Sequence, residues 1–283
     1  METQLNHIFY PATYNELFLA WSRFPDAVLY AGGVDINLNR SGWADIWQGS
    51  SVMPAFLCLD NLEELHQITR TEQYLEIGAM IKLNKLLRLG KMVPEILRMC
   101  IENIAGVQVR NLASIGGNIC CTSRLLDLPA LLTSLDAQYE LRSSSGGIRW
   151  VSAARFHSKE EHTGIEKHEI LTRIRLSLHQ WDYSVYKKFR GEGPFHGNAL
   201  VFLAKTQKNI LSDIKVIYKS DKLIRNKNGE DILSGKNLPL SRKTADDFIE
   251  NWKKFLAENR EIGGFSANTL INSIEENVYN LSE

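Results

Sequence analysis

Apolar and polar positions alternate between helical and strand-like spacing along the first half of the chain. Residues 13–16 (TYNE) read as a capping box, in which a hydroxyl and a carboxylate three residues apart satisfy the free N–H groups of a helix start. A short helix through Leu17, Ala20 and Trp21 follows. Residues 27–30 (AVLY) form a brief apolar strand running straight into Gly32 and Gly33, and AFLCLD is a second strand, after which Asp60 and Glu63 are expected to cap a helix. YLEIGAM alternates with a period near two, as a half-buried strand does. Pro94 suits the first turn of a helix through Ile96, Leu97, Cys100 and Ile101 that ends at Gly106. NLASIGGNIC reads as a glycine-centred loop, residues 129–135 as an apolar helix, and QYELRSSSGGIRWV as a hairpin turning at Gly146 and Gly147.

The second half has a different texture. ILTRIRLSL, WDYSVYKKF, NALVFLAK and DIKVIYK are strands, and two amphipathic helices close the sequence. Thr244 is the expected cap of the first, which carries Phe248, Trp252, Phe255 and Leu256; the second carries Leu270, Ile274, Val278 and Leu281. Strands followed by helices predict a separate α+β domain, with a boundary near residue 168. Residues 157–168 connect the two halves and read as a solvated segment. His157, His162 and His168 with Glu160 and Glu161 lack the spacing of a metal site.

Charge changes the picture by exclusion. Lys and Arg total 33 and so do Asp and Glu, which disfavours a nucleic-acid binder, because phosphates require a surplus of cations. No apolar run approaches the ~20 residues of a membrane span. The first residues lack the basic-then-apolar order of a secretory leader, so a cytoplasmic protein without membrane insertion is expected. Cys58, Cys100, Cys120 and Cys121 offer neither C-x-x-C nor iron–sulfur spacing and are expected to be reduced thiols.

Two glycine pairs carry the candidate chemistry. In Tyr30-Ala31-Gly32-Gly33-Val34-Asp35-Ile36, glycines after a strand permit positive φ and let backbone N–H groups form an anion-binding nest; a plain turn fits as well. In Ala113-Ser114-Ile115-Gly116-Gly117-Asn118-Ile119 the same logic recurs, with Ser114 and Asn118 as hydrogen-bonding side chains. GEGPFHG has the wrong spacing for a dinucleotide fingerprint, and no phosphate loop is present, so a Rossmann site is not expected.

AGGVD, IAGVQVRNLASIGGNI, SRLLDLPALLTSLDA, EILTRIRL and YSVYKKFR occur in one order and spacing, and in these the chain resembles the FAD-binding medium subunit of molybdenum hydroxylases, the xanthine dehydrogenase and carbon monoxide dehydrogenase flavoprotein family. The resemblance covers residues 5–205 well and the remainder more weakly. It implies an α+β fold of the FAD-binding type shared with vanillyl-alcohol oxidase and p-cresol methylhydroxylase. An FAD-binding domain at 1–168, with subdomains of about 1–54 and 55–168, would precede a C-terminal α+β domain at 169–283. Carried over by motif, Leu29 and the residues through Ile36 would wrap the FAD pyrophosphate, and Ser114, Ile115, Gly116, Gly117 and Asn118 would lie along the ribityl chain, the phosphates and the flavin edge. Asp127 would hydrogen-bond the cofactor or cap the helix after it. Leu171 and Lys187 match cofactor-contacting positions, a lysine near the flavin ring being suited to tuning its electronics.

The implied function is electron transfer. FAD would take electrons from the [2Fe–2S] clusters of a small subunit, after a molybdopterin-containing large subunit has oxidised the substrate, and pass them to an acceptor such as NAD+. No side chain of this chain is expected to act as a catalytic acid or base, and no metal is expected in it. A stand-alone FAD-dependent reductase or oxidase of the same fold, a flavin-free scaffold, and a simple partner-binding module are the alternatives. Three departures from the family pattern stand out: Val34 replaces a usual Thr or Ser, Arg124 stands where Pro is usual, and Cys120 and Cys121 are unusual at their positions.

Overall fold

The hydroxyl of Thr13 accepts a hydrogen bond from Glu16 N (3.2 Å), and the Glu16 carboxylate accepts one from Ala12 N (2.9 Å), so the capping box forms at the first helix. The computed structural model describes residues 8–38, 54–158, 164–190, 197–258 and 264–282. In chain order these contain β1 (Ile8–Phe9), α1 (Tyr14–Arg23), β2 (Val28–Tyr30), α2 (Val34–Leu38), β3 (Phe56–Cys58), β4 (Ile68–Arg70), β5 (Tyr74–Gly78), α3 (Leu83–Arg88), α4 (Glu95–Glu102), α5 (Val107–Leu112), α6 (Ile115–Ile119) and α7 (Leu128–Ser134). There follow β6 (Gln138–Ser143), β7 (Ile148–Ser152), α8 (Ala153–Phe156), β8 (Glu169–Ser177), β9 (Tyr183–Arg190), β10 (Gly197–Gln207), β11 (Ile210–Lys219), β12 (Leu223–Arg225), α9 (Lys227–Leu233), α10 (Arg242–Glu258) and α11 (Gly264–Asn280).

The chain divides into two compact units, Met1–Leu128 with Asp136–Leu178, and Pro129–Leu135 with His179–Glu283. The expected division near residue 168 moves, because β8 is the central strand of the first unit's five-stranded antiparallel sheet, order β4-β5-β8-β6-β7. Leu75, Ile77, Tyr139, Leu141, Ile174 and Leu176 of that sheet are fully buried. The alternating positions carry Glu76 bonded to both Arg173 (3.0 Å) and Arg175 (2.7 Å). This is the period of two that the sequence showed. The hairpin turns as expected, with Gly146 at φ +82°. The first unit also holds a small parallel sheet, order β1-β3-β2. Its central strand, β3, lies beyond the expected subdomain limit at residue 54, because it must pair with strands on both sides.

Several local expectations change. Residues 63–66 make a single 3-10 turn without a side-chain cap, and Asp60 instead pairs with Lys82 (3.5 Å). Helix α4 ends at Glu102, before Gly106, with Ala105 at φ +44° reversing the chain. The expected loop around the second glycine pair is two short helices, α5 and α6. Ser241 Oγ, rather than Thr244, caps α10, accepting from Thr244 N at 3.2 Å. His157 is buried against Tyr139, 3.3 Å from its hydroxyl, and His168 stacks on Trp21; a solvated segment was expected here. Glu160, Glu161 and His162, and residues 191–196 of GEGPFHG, lie outside the described residues.

The second unit is a four-stranded antiparallel sheet, order β12-β11-β10-β9. Its core joins Phe202, Val216 and Tyr218 of the strands to Phe248, Trp252 and Leu270 of α10 and α11. Among the described residues all four cysteines are free, no group of acidic, His or Cys side chains is placed to hold a metal ion, and no helix is long and apolar enough to cross a membrane.

Candidate cofactor-binding site

The two glycine pairs come together in the first unit. After β2 the chain turns through Gly32 and Gly33 into α2, whose first bond runs from Asn37 N to Gly33 O (3.0 Å). The second pair lies in α6, capped by Ser114 Oγ, which accepts from Gly117 N at 3.0 Å. Segment 113–116 is sewn to the chain after β5 by three backbone bonds: Leu83 N to Ala113 O (2.9 Å), Ile115 N to Ile81 O (2.9 Å) and Gly116 N to Ala79 O (2.8 Å). Ala79 N in turn donates to Thr172 O (3.0 Å). Thr172 is the extra residue of a bulge in β8, where the pairing with β6 slips between Glu140 and Leu141. Leu171 therefore sits beside this bulge, buried and opposite Leu141.

Each glycine has its own reason. A Cβ on Gly32 would overlap the Leu112 carbonyl, so this glycine lets the first loop touch the chain leading into the second. Gly33 adopts φ +66°, which side-chain-bearing residues avoid, and the Tyr30 phenol covers it. A Cβ on Gly116 would lie 2.7 Å from Ala79 O. Gly117 differs: it is exposed, and a Cβ there would meet only Ser114 Oγ at 3.0 Å. Gly32 and Gly116 thus serve contact between chain segments, Gly33 serves a left-handed turn, and Gly117 leaves exposed backbone at the surface. That bare face, beside a second glycine loop, suits a flat or anionic group such as a dinucleotide.

The polar residues of the site are engaged with the chain itself. Asn118 is buried, and its Oδ1 accepts from Leu128 N (3.4 Å) at the start of α7, directly after buried Asp127. Asp35 is bonded by Ser123 Oγ (3.1 and 3.2 Å) and by the Arg124 guanidinium (2.9 Å). The sequence marked Arg124 only as a departure from a pattern, and nothing local marked Ser123 or Ala79, because their partners lie far away along the chain. Beneath α6, burial pushes the Cys120 thiol up to about 12 and Tyr139 well above its ordinary value. Lys187 is in the second unit, on β9, where its ammonium pairs with Glu276 of α11 at 2.7 Å.

Residues 3–177 match the family described as the FAD binding domain in molybdopterin dehydrogenase. The chain belongs to this family. It is 27% identical over 252 residues to xanthine dehydrogenase 2 of Arabidopsis thaliana, covering 80% of this chain and 18% of that protein. It is 30% identical over 187 residues to the glyceraldehyde dehydrogenase medium chain of Sulfolobus acidocaldarius, covering 64% of this chain and 66% of the relative. The alignment thus spans about a fifth of the plant enzyme and about two-thirds of the archaeal chain. A chain of quinoline 2-oxidoreductase from Pseudomonas putida 86 superposes with a TM-score of 0.78 over 100% of this chain and 98% of its own, at 20% identity. The mixed α+β fold is therefore shared with that solved structure, and the family that residues 3–177 match is an FAD-binding one.

Proposed function

We propose that this chain is the FAD-carrying electron-transfer subunit of a molybdenum-dependent hydroxylase, taking electrons from [2Fe–2S] clusters and passing them to an acceptor such as NAD+. The observation that carries this reading is the exposed backbone of Gly117 on α6, whose lead-in at Leu112 and Ala113 packs on Gly32 of the first glycine loop. In this reading Leu29, Tyr30, Ala31, Gly32, Gly33, Val34, Asp35 and Ile36 form the wall along the dinucleotide's phosphates. Ser114, Ile115, Gly116, Gly117 and Asn118 form the facing wall. FAD, when bound, supplies the redox chemistry, hydride transfer included.

The chain's own work is to bind and orient. Ser114 holds α6 so that Gly117 stays open, Asp127 offers a buried carboxylate at the start of α7, and Leu171 holds the bulge that carries Ala79 against Gly116. A [2Fe–2S] cluster is held by a quartet of thiolates, whereas three of the four cysteines here are buried as free thiols, so we assign clusters and molybdopterin to partner chains. The name of the archaeal relative, a medium chain, supports such an assembly. The free thiols favour a reducing compartment, the cytoplasm.

Incubated with FAD and desalted, the purified chain should retain close to one equivalent of flavin, read from its visible absorption. A protein that stays colourless overturns the reading. Affinity capture from its native host should bring down a molybdenum-containing chain; a flavoprotein that oxidises substrate by itself and captures none would refute the subunit assignment.

A further inference from the structure

Asp35 lies two residues beyond Gly33, in the turn that the preceding reading gives to the FAD pyrophosphate. Ser123 Oγ lies 3.2 and 3.1 Å from its two oxygens, and Arg124 Nη2 lies 2.9 Å from Oδ1. These bonds tie the helix after the first glycine pair to the stretch after the second. The Arg124 side chain is 23% exposed and that of Asp35 30%, so water screens the pair only in part.

We propose that Arg124 is a positioning residue for the flavin dinucleotide: it neutralises Asp35 and holds that carboxylate on segment 123–124, so that the first glycine loop accepts an anion. This rests on the FAD reading above. A bare carboxylate two residues from a pyrophosphate loop repels the ligand, and repulsion grows where the surroundings are partly dehydrated. A guanidinium cancels that charge and presents several N–H donors in a fixed plane, which fixes direction as well as charge. Val34 brings no hydroxyl to the loop, and a proline at 124 would have no side chain to reach Asp35. Binding at this loop therefore depends on silencing Asp35 more than on a hydroxyl at 34.

FAD titrated into the flavin-free 283-residue chain, followed by flavin fluorescence, tests this. Arg124→Gln should weaken FAD binding about tenfold or more. The loss should shrink between about 50 mM and about 500 mM salt, as screening replaces the missing counter-charge. Arg124→Lys should stay within about threefold of wild type, and Arg124→Gln combined with Asp35→Asn should recover most of the lost affinity, since the carboxylate is then gone. Unchanged affinity in Arg124→Gln overturns the inference. So does a loss that the double variant fails to recover, because Arg124 would then act on the ligand or the fold and not through Asp35. Should Arg124→Gln not fold, Arg124→His decides: its FAD affinity relative to wild type should fall about fivefold or more between pH 5.5 and pH 8 as the imidazolium loses its charge, and a ratio that stays constant across that range overturns the inference. A wild-type chain that binds no FAD overturns the FAD reading itself, whereas a wild type that binds beside an unchanged Arg124→Gln overturns only this inference.

Discussion

Neighbouring glycines 116 and 117 separate what the fold requires from what a ligand requires. Gly116→Ala places a Cβ 2.7 Å from Ala79 O and 2.8 Å from Ala79 Cβ, atoms tied down by the β8 bulge. It should cost about 1–3 kcal/mol in urea unfolding, the usual cost of overpacking. Gly117→Ala meets only a serine hydroxyl, so the stability of the flavin-free protein should stay within about 0.5 kcal/mol of wild type. Its FAD affinity should nevertheless fall about tenfold, equal to about 1.4 kcal/mol, in a fluorescence titration. Equal effects of both substitutions on both measurements would place the cofactor elsewhere. From sequence the two glycines were indistinguishable, since the difference lies in Ala79, 37 positions upstream of Gly116.

Short elements in this protein are set by side-chain bonds from outside them. Helix α9 begins with Asn226 Oδ1 accepting from Gly229 N (3.0 Å), while Asn226 Nδ2 donates to Asn251 of α10 (2.8 Å). Its buried Glu230 accepts from Val216 N (2.8 Å) on β11 and from the Arg225 guanidinium (2.8–3.0 Å) on β12. One carboxylate thus holds helix and sheet of the second unit together. Glu230→Ala orphans a buried backbone donor and a cation and should cost about 3 kcal/mol; Glu230→Gln, which keeps an acceptor, should cost about 1 kcal/mol. Chemical denaturation followed by circular dichroism would measure both, and a neutral Glu230→Ala would show that the helix–sheet junction stands without it. The capping box at Thr13 was legible beforehand because its partners are three and four residues apart. The 3-10 turn at 63–66 was not: Asp60, its expected cap, is drawn away to Lys82.

At the scale of the molecule, burial of ionisable groups predicts alkaline sensitivity. Desolvation raises Tyr14 to about 12 against the opposing pull of Arg142, whose guanidinium sits 4.0 Å over its ring, and it raises Cys120 to about 12 and Tyr139 well above its ordinary value. A raised folded-state pKa means that the folded chain keeps its proton longer than the unfolded one. The contribution is whole below the unfolded values, 9.0 for the thiol and 10.0 for tyrosine, and is lost as pH rises toward about 12. Stability should therefore fall above pH 9, by up to about 1.4 kcal/mol per pH unit for each group titrating. Tyr14→Phe should flatten the decline between pH 10 and about 12; urea midpoints across that range that track wild type would contradict the assignment.

What the sequence determined by itself is local or repetitive: the alternation of β5 and β8, the hairpin at Gly146, the cap at Thr13, the apolar faces of α10 and α11, and the order of glycine motifs that marked an FAD-binding family. These depend on residues within a turn or on a period that persists along a segment. The tertiary structure decided the rest. It carried β8 into the centre of the first unit's sheet, turned the second glycine pair into a capped helix, buried His157 beside Tyr139, and joined Asp35 to Arg124 across 89 positions. Each of these is a pairing between distant segments. Its energy depends on which backbone or charged group the fold delivers to the other side, and no window of the sequence contains both partners.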